Sequence, residues 1–197
     1  MLALVVVAHP SSDSYCHALA GRAEAGLLAA GHEVVVLDLY ALGFRAEMTH
    51  EEREAYHGDT PILDPLVADH AALVQRAEAL VFVYPTWWSG LPAILKGWLE
   101  RVLVPGVGFV LDERTNKVRP GLGQIRRLVG ISTYGSPRSY VRLVNDNGRR
   151  ILTRALRMSC GLRVRRTWLG LYAIDTSTPA QRQAFLARVE QQMARLQ

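Results

Sequence analysis

Apolar residues along the chain fall into short continuous runs, separated by longer stretches that carry apolar positions on one face only. Leu2 through Ala8 is an unbroken apolar run, the pattern of a parallel strand covered on both faces. Ser14 to Ala30 reads as a helix in which Leu19, Ala23 and Leu27 share one face, and Gly31 stops it. His32 to Asp38 is the second strand, Pro65 to Arg76 the second main helix, and Ala79 to Tyr84 the third strand. Leu91 to Leu103 follows as a helix with Pro92 in its first turn, where a missing N–H costs least. Arg127 to Thr133 is the fourth strand, and Arg138 to Met158 is mainly helical, with Gly148 as the candidate interruption. Val164 to Ala173 is the fifth strand, and Pro179 to Leu196 the last helix, capped by Thr178. Two stretches break the alternation. Residues 45 to 64 are polar and broken by Gly58 and Pro61, and read as a loop with one turn of helix. Residues 105 to 122, rich in glycine and charge, read as a long loop or hairpin.

Five strands with helices between them predict an α/β domain with a five-stranded parallel sheet and right-handed crossovers. Doubly wound order 2-1-3-4-5 is the expected arrangement. In such sheets ligands bind beyond the carboxyl ends of the strands, where the strand order reverses. The loops after strands one, three and four are therefore the places to look for chemistry. No repeat, low-complexity tract or linker interrupts the pattern, so residues 1–197 are expected to form a single domain.

Length agrees, because 197 residues with 49% apolar side chains suffice for one compact domain and not comfortably for two. The formal charge of +5 raises nucleic acid as a partner, but no aromatic-basic interleaving, recognition helix or zinc signature accompanies it. Arginines are densest between Arg149 and Arg166, and a basic face also suits an anionic partner such as a nucleotide cofactor. No apolar run approaches the roughly 18 residues that span a bilayer, so no membrane insertion is expected. Leu2 to Ala8 lacks a preceding basic region and meets His9-Pro10 at once, so it is not a leader and a cytoplasmic location is expected. Cys16 and Cys160 form no disulfide or metal pattern and are expected as packed thiols.

The first loop, His9 to Cys16, joins a buried strand to a helix N-terminus. The hydroxyls of Ser11, Ser12 and Ser14 and the helix's free amides can cradle a phosphate or simply cap the helix. His9 is read as a hydrogen-bonded loop residue, since no ligand set completes a metal site around it. The second loop, Tyr84-Pro-Thr-Trp-Trp-Ser-Gly-Leu-Pro92, places two tryptophans side by side. Neighbouring side chains cannot share one face of a regular element. One is expected to pack inward and the other to line a cavity or interface, where an aromatic wall suits a flat heteroaromatic ligand. A tryptophan plug over the core is the alternative. The third loop, Ser132 to Tyr140, offers the Thr133 hydroxyl, close backbone approach at Gly135 and the Tyr140 phenol, or is an ordinary turn.

With these residues in view, the sequence resembles the NAD(P)H:quinone oxidoreductase (DT-diaphorase-like) family of flavodoxin-like flavoproteins. The long match is Tyr84-Pro-Thr-Trp-Trp-Ser-Gly-Leu-Pro-Ala-Ile-Leu-Lys-Gly-Trp-Leu-Glu-Arg-Val102, against a family pattern of aromatic-Pro-x-x-Trp followed by Gly-x-Pro-Ala-x-Leu-Lys-Gly. Asp38 to Phe44, His9 to Tyr15 and Thr133 to Gly135 add shorter matches in the same order. The resemblance implies a flavodoxin-like doubly wound sheet and a flavin cofactor, FAD or FMN. It implies NAD(P)H as electron donor, a quinone or similar small molecule as acceptor, ping-pong turnover and a homodimer. By position, His9, Ser14, Tyr15 and Cys16 would surround the flavin phosphate side. Pro85, Thr86, Trp87 and Trp88 would hold the ring system, and Thr133, Tyr134 and Gly135 its other edge. Tyr140 matches the tyrosine that stabilises the reduced ring. The histidine that assists it in the animal enzymes is absent, and Asn145-Asp146-Asn147 occupies that region, with Asp146 expected as a solvated turn or capping residue and, as the alternative, a substitute partner for Tyr140. Two further readings stand beside the enzyme: a flavin-binding regulatory subunit of a bacterial potassium-efflux system, and a flavodoxin-type electron carrier. The positive charge and Lys96-Gly97-Trp98 count against a carrier.

Overall fold

In a computed structural model that describes every residue except 113 and 116, strands and helices alternate along the chain. Those two positions of the predicted 105–122 excursion lie outside the described residues. In chain order the elements are β1 (Leu2–Val7), α1 (Tyr15–Ala29), β2 (Glu33–Asp38), α2 (His50–Ala55), α3 (Pro65–Arg76), β3 (Ala79–Pro85) and α4 (Ala93–Val102). They continue as β4 (Phe109–Asp112), β5 (Lys117–Pro120), β6 (Arg127–Thr133), α5 (Arg138–Leu143) and α6 (Asn147–Arg150). A π-helical turn (Ile151–Leu156) runs into α7 (Arg157–Cys160), and β7 (Arg165–Leu171), a 3-10 turn (Ile174–Thr176) and α8 (Pro179–Ala194) complete the chain.

The five long strands form one sheet in the order β2-β1-β3-β6-β7, all pairs parallel. This is the expected 2-1-3-4-5 order, with β6 and β7 as the fourth and fifth strands. Every residue of β1 and of β3 is buried, which is why both read as unbroken apolar runs. Alternate β1 side chains serve opposite layers. Ala3, Val5 and Val7 meet Leu19, Ala23 and Leu27 of α1 and Val189 and Met193 of α8. Leu4 and Val6 meet the other layer, built from α3, α4 and the helical 152–160 stretch around Trp98. Gly26 allows α1 and α8 to touch, because a Cβ there would stand 2.3 Å from the Glu190 carbonyl oxygen.

Several boundaries depart from expectation. Pro92 is the N-cap residue of α4 instead of lying inside its first turn. The 138–158 helix breaks at Asn145 and Asp146, with φ of 79° and 44°, ahead of Gly148. Asn and Asp tolerate that left-handed backbone better than other side chains, so two such residues in a row are themselves a break signal. The 105–122 excursion is the antiparallel β4–β5 hairpin. The 45–64 excursion holds a full capping-box helix: Glu52 N–H donates to Thr49 Oγ1 (3.1 Å) and Thr49 N–H to Glu52 Oε2 (2.7 Å).

That excursion is pinned to the domain by Arg101 of α4, only 3% exposed. Its guanidinium donates to Glu52, to Asp64 (2.8 Å) and to the Arg45 carbonyl (2.6 Å), and lies over the Phe44 ring. Both carboxyls are held below the usual range, Asp64 chiefly by its Arg101 hydrogen bond, and Glu52 by Arg101 in spite of its own burial. Gly97 completes the docking, since a Cβ there would stand 2.0 Å from the Ala46 carbonyl oxygen. The Leu-Lys-Gly segment of the long sequence match is thus a packing device. The next residue, Trp98, is fully buried and donates its indole N–H to His70 Nδ1 (3.2 Å). Burial holds the His70 pKa below its usual value, which keeps the ring neutral and able to accept. Trp98→Ala should therefore lower the unfolding free energy by about 3–5 kcal/mol, read by urea denaturation. A loss below 1 kcal/mol would mean that the tryptophan does not carry this layer.

Candidate functional site

The three loops named from the sequence come together at the carboxyl edge of the sheet. Parallel pairing aligns the strand ends: Pro85 stands beside Thr133, Thr86 N–H donates to the Thr133 carbonyl (2.8 Å), and the Thr86 and Ser132 hydroxyls share a hydrogen bond (2.8 Å). Two cavities open there, each of about 350 Å³, and Thr86 and Gly135 belong to the walls of both. The first is lined by His9, Tyr15, Cys16, Pro85, Trp87 and Thr133. The second is lined by Trp88, Ser89, Tyr134, Ser136, Tyr140, Val141 and Asp146. Ser11 and Ser14 stay off both walls.

The first cavity lies at the start of α1. Ser14 caps that helix, its Oγ accepting His17 N–H (3.3 Å) and sharing a hydrogen bond with His17 Nδ1 (2.9 Å). The capping reading of this serine is therefore the observed one. His17 Nε2 in turn meets Asp38 (2.8 Å) at the end of β2. Ser11 N–H donates to His9 Nδ1 (3.1 Å), and the His9 ring lies 5.9 Å from that of Trp87. The Tyr15 hydroxyl donates to the Arg182 carbonyl (2.7 Å), so it anchors α1 to α8 while its ring faces the cavity. Burial pushes the Tyr15 pKa up to about 12 and that of Cys16 to about 11. Cys16 is thus a neutral thiol near the Thr133 hydroxyl and no nucleophile.

Neither tryptophan of the second loop packs inward, which corrects both the inward-packing expectation and the plug alternative. Trp87 is 42% exposed and Trp88 fully so. A tight turn explains this: Gly90 N–H donates to the Trp87 carbonyl (2.9 Å), while Trp88 (φ 47°) and Ser89 (φ 57°) are both left-handed. Two successive left-handed residues are the signature of a type I′ turn, which ordinarily takes Asn-Gly. Holding a tryptophan there costs on the order of 1–3 kcal/mol and needs outside support. The support comes from α6, where the amides of Asn147 (3.1 Å) and Gly148 (3.4 Å) both donate to the Ser89 carbonyl. Gly148 makes this possible, because a Cβ there would lie 3.1 Å from the Gly90 carbonyl carbon and 3.2 Å from the Tyr84 hydroxyl. Its role is close approach, in place of the predicted helix interruption.

The third loop joins Tyr134, expected at the ring edge, to Asp146, a pairing that the sequence does not show. Tyr134 is buried, stacks on Tyr172 (4.5 Å between ring centres) and donates its hydroxyl to Asp146 Oδ1 (3.1 Å). Asp146 is half-buried at the N-cap position of α6, which corrects the solvated expectation, and its side chain is turned to Tyr134. Burial raises its pKa above the usual carboxyl range and raises that of Tyr134 further, so the phenol stays protonated. Beneath them the Tyr84 hydroxyl is buried with no partner among the described residues. Tyr140 is 51% exposed at the cavity mouth. Asp175, which sequence reasoning missed, lines the first cavity, and a Cβ on Gly135 would come 3.0 Å from its carboxylate. That glycine keeps the common wall bare for a flat ligand edge, and a carboxylate beside it accepts hydrogen bonds from N–H or O–H groups. The only sequence signal for Asp146 is its place in the Asn-Asp-Asn break; Asp175 carries none.

Two adjoining cavities with aromatic, hydroxyl and bare-backbone walls beside a helix N-terminus fit a flat heteroaromatic ring with an anionic tail. No group of three or more His, Cys, Asp or Glu side chains able to hold a metal occurs among the described residues, and no helix among them is long and apolar enough to cross a membrane.

Comparison with known proteins matches residues 1–196 to the family described as flavodoxin-like fold. Rat NAD(P)H dehydrogenase (quinone) 1 is 33% identical over 154 residues, which cover 70% of this chain and 55% of the rat protein. Human ribosyldihydronicotinamide dehydrogenase (quinone) is 30% identical over 168 residues, 76% of this chain and 71% of that one. The chain spans about half to two thirds of the length of the first curated relatives it matches, 55% and 64% for two of them. Among solved structures, the NAD(P)H:quinone oxidoreductase of Methanothermobacter marburgensis superposes with a TM-score of 0.81 at 27% identity, covering 100% of this chain and 99% of that one.

Trp88→Ala should weaken ligand binding at this site more than Trp98→Ala does, while Trp98→Ala costs more thermal stability; paired melting and titration curves would show it, and reversed rankings would place the turn outside the site. Asp146→Asn probes the raised carboxyl. Above the unfolded value of about 3.9, the folded protein holds this proton more tightly than the unfolded chain. The group's contribution to stability therefore falls as pH rises through its folded pKa, then levels off. Relative to wild type, Asp146→Asn should be more stable at pH 7 than at pH 4 by urea unfolding. An equal difference at both pH values would mean that Asp146 ionises like an exposed carboxyl.

Proposed function

Because the chain belongs to the flavodoxin-like fold family, we propose that it is a flavin-dependent oxidoreductase that passes electrons from a reduced nicotinamide nucleotide to a small acceptor such as a quinone. The observation that carries this reading is the pair of cavities sharing Thr86 and Gly135, walled by two tryptophans that the backbone holds outward. Names of relatives on both sides of the comparison, NAD(P)H dehydrogenase (quinone) and NAD(P)H:quinone oxidoreductase, agree with it.

When bound, a flavin supplies a ring that takes two electrons from one partner and gives them to another. The chain's own contribution is placement. Pro85, Thr86 and Trp87 offer backbone and an aromatic edge to the ring, Thr133 and Gly135 the facing edge, and the α1 N-terminus the anionic tail. Ser14 and Tyr15 serve that side through the helix start, since their hydroxyls are engaged elsewhere. Trp88 and Tyr140 frame the open cavity in which donor and acceptor would stack in turn, as ping-pong exchange requires. Tyr140 can donate its phenol proton to an oxygen in that cavity. Asp146 partners Tyr134 and so does not relay a proton to Tyr140. The exposed apolar side chains of Trp88 and Tyr140 at the opening support a second copy of the chain as the missing wall.

The purified protein should be yellow, with one non-covalent flavin per chain, and heating should release it for identification as FMN or FAD by mass. Reconstitution with both flavins that leaves no chromophore would sink the reading. A steady-state assay with NADPH and a benzoquinone separates an enzyme from a carrier or a regulatory subunit. Tyr140→Phe should slow flavin reduction in stopped flow by about tenfold or less, roughly 1.4 kcal/mol, with flavin affinity retained. An unchanged rate with NADH and with NADPH would remove Tyr140 from the chemistry.

A further inference from the structure

A third cavity, of about 490 Å³, adjoins the open one, and Asp146 belongs to the walls of both. Five arginines line it: Arg142, Arg149, Arg150, Arg154 and Arg166. Asp146 is the one carboxylate on its wall; its Oδ1 accepts from Tyr134, and its charge is felt by Arg149 and Arg150 without an ion-pair contact. None of the five guanidiniums has an ion-pair partner among the described residues. Two of them are nevertheless positioned. Arg149 lies over the Trp168 ring at 5.6 Å, and Arg166 donates to the Thr153 carbonyl (3.0 Å) in the π-helical turn. The turn matters because it interrupts the regular helical ladder between Arg150 and Arg157, and such turns recur at functional sites. Like charges gathered in one concave surface repel one another, and a polyanion in their midst relieves that repulsion through charge-assisted, bidentate hydrogen bonds.

We propose that this arginine-lined cavity binds the phosphate groups of the nicotinamide donor, and that its charge favours the donor carrying the additional 2′-phosphate, NADPH, over NADH. This rests on the reading of the adjoining cavity as the place where the nicotinamide stacks. The shared Asp146 wall sets the two cavities side by side, so a dinucleotide can rest its ring against Trp88 and Tyr140 and its phosphates among the arginines.

The test uses the flavin-loaded protein and the double variant Arg150→Gln/Arg154→Gln, chosen because neither side chain holds a structural contact described above. Calorimetry with 2′,5′-ADP, 5′-ADP and inorganic pyrophosphate measures anion binding without turnover. Expected are tighter binding of 2′,5′-ADP than of 5′-ADP and weakening at high salt. The double variant should lose about tenfold in 2′,5′-ADP affinity, with a matching rise in KM for NADPH and a smaller one for NADH. Unchanged affinity and an unchanged ratio of the two KM values would overturn the proposal. Loss of flavin from the variant would also overturn it, by giving the cavity to the cofactor's own phosphates. Equal binding of 5′-ADP and 2′,5′-ADP would overturn the NADPH preference. A protein that oxidises neither donor loses the redox reading, and the 2′,5′-ADP titration of the two proteins then decides the arginine cavity by itself.

Discussion

The site depends on one carbonyl oxygen. Ser89 O accepts the amides of Asn147 and Gly148, and this fixes a turn whose two central residues are both left-handed. Without an outside acceptor-donor match, a tryptophan would not stay at that position, because the strain exceeds what a short turn can hold against solvent. The same contact ties the loop after β3 to the segment after α5, so the tryptophan wall is fastened to the segment that carries Asp146. Gly148 is small so that this contact can be short, and Asn145 and Asp146 are left-handed so that α6 can aim its first amides at the turn.

On the far side of α4, the buried Arg101 does the complementary task. Its hydrogen bonds to Glu52, Asp64 and the Arg45 carbonyl satisfy a charge that would otherwise be costly to bury. They also fasten a polar excursion that has little apolar surface of its own. With Gly97 against Ala46 and Trp98 against His70, this fixes α4 on the sheet, and α4 begins directly after the tryptophan turn. The loop after β3 is therefore clamped at both ends, by a buried charge network at one and by two backbone amides at the other.

The chemistry open to such a site is set by what is protonated. Burial keeps the Cys16 thiol, the Tyr15 phenol and the Tyr134 phenol neutral, and both phenol protons are already donated within the protein, so the walls carry no activated nucleophile. Positive charge is concentrated beside the open cavity, on the arginines. A flat pocket with no activated side chain, two carboxyl groups on its walls and a basic annex is built to hold a ligand and not to attack it.

How much of this was legible along the chain depended on the range of the forces involved. Unbroken apolar runs marked β1 and β3 because both faces of a parallel sheet are covered, and alternation with amphipathic helices fixed the class and the strand order. That order alone named three loops, and eleven of the thirteen predicted site residues do line the two cavities, Ser11 and Ser14 being the pair that does not. Local sequence also carried the caps at Ser14 and Thr178, since a cap is a contact between near neighbours. What only the tertiary structure decided came from contacts across long separations: Arg101 with Glu52, Asp146 with Tyr134, and Ser89 with Asn147 and Gly148. Those contacts turned both tryptophans outward, made Gly148 a point of close approach and gave Asp146 a buried partner. A hydrophobic pattern reports which face a residue turns to the core; it does not say which distant polar group will meet a residue that faces neither the core nor open water.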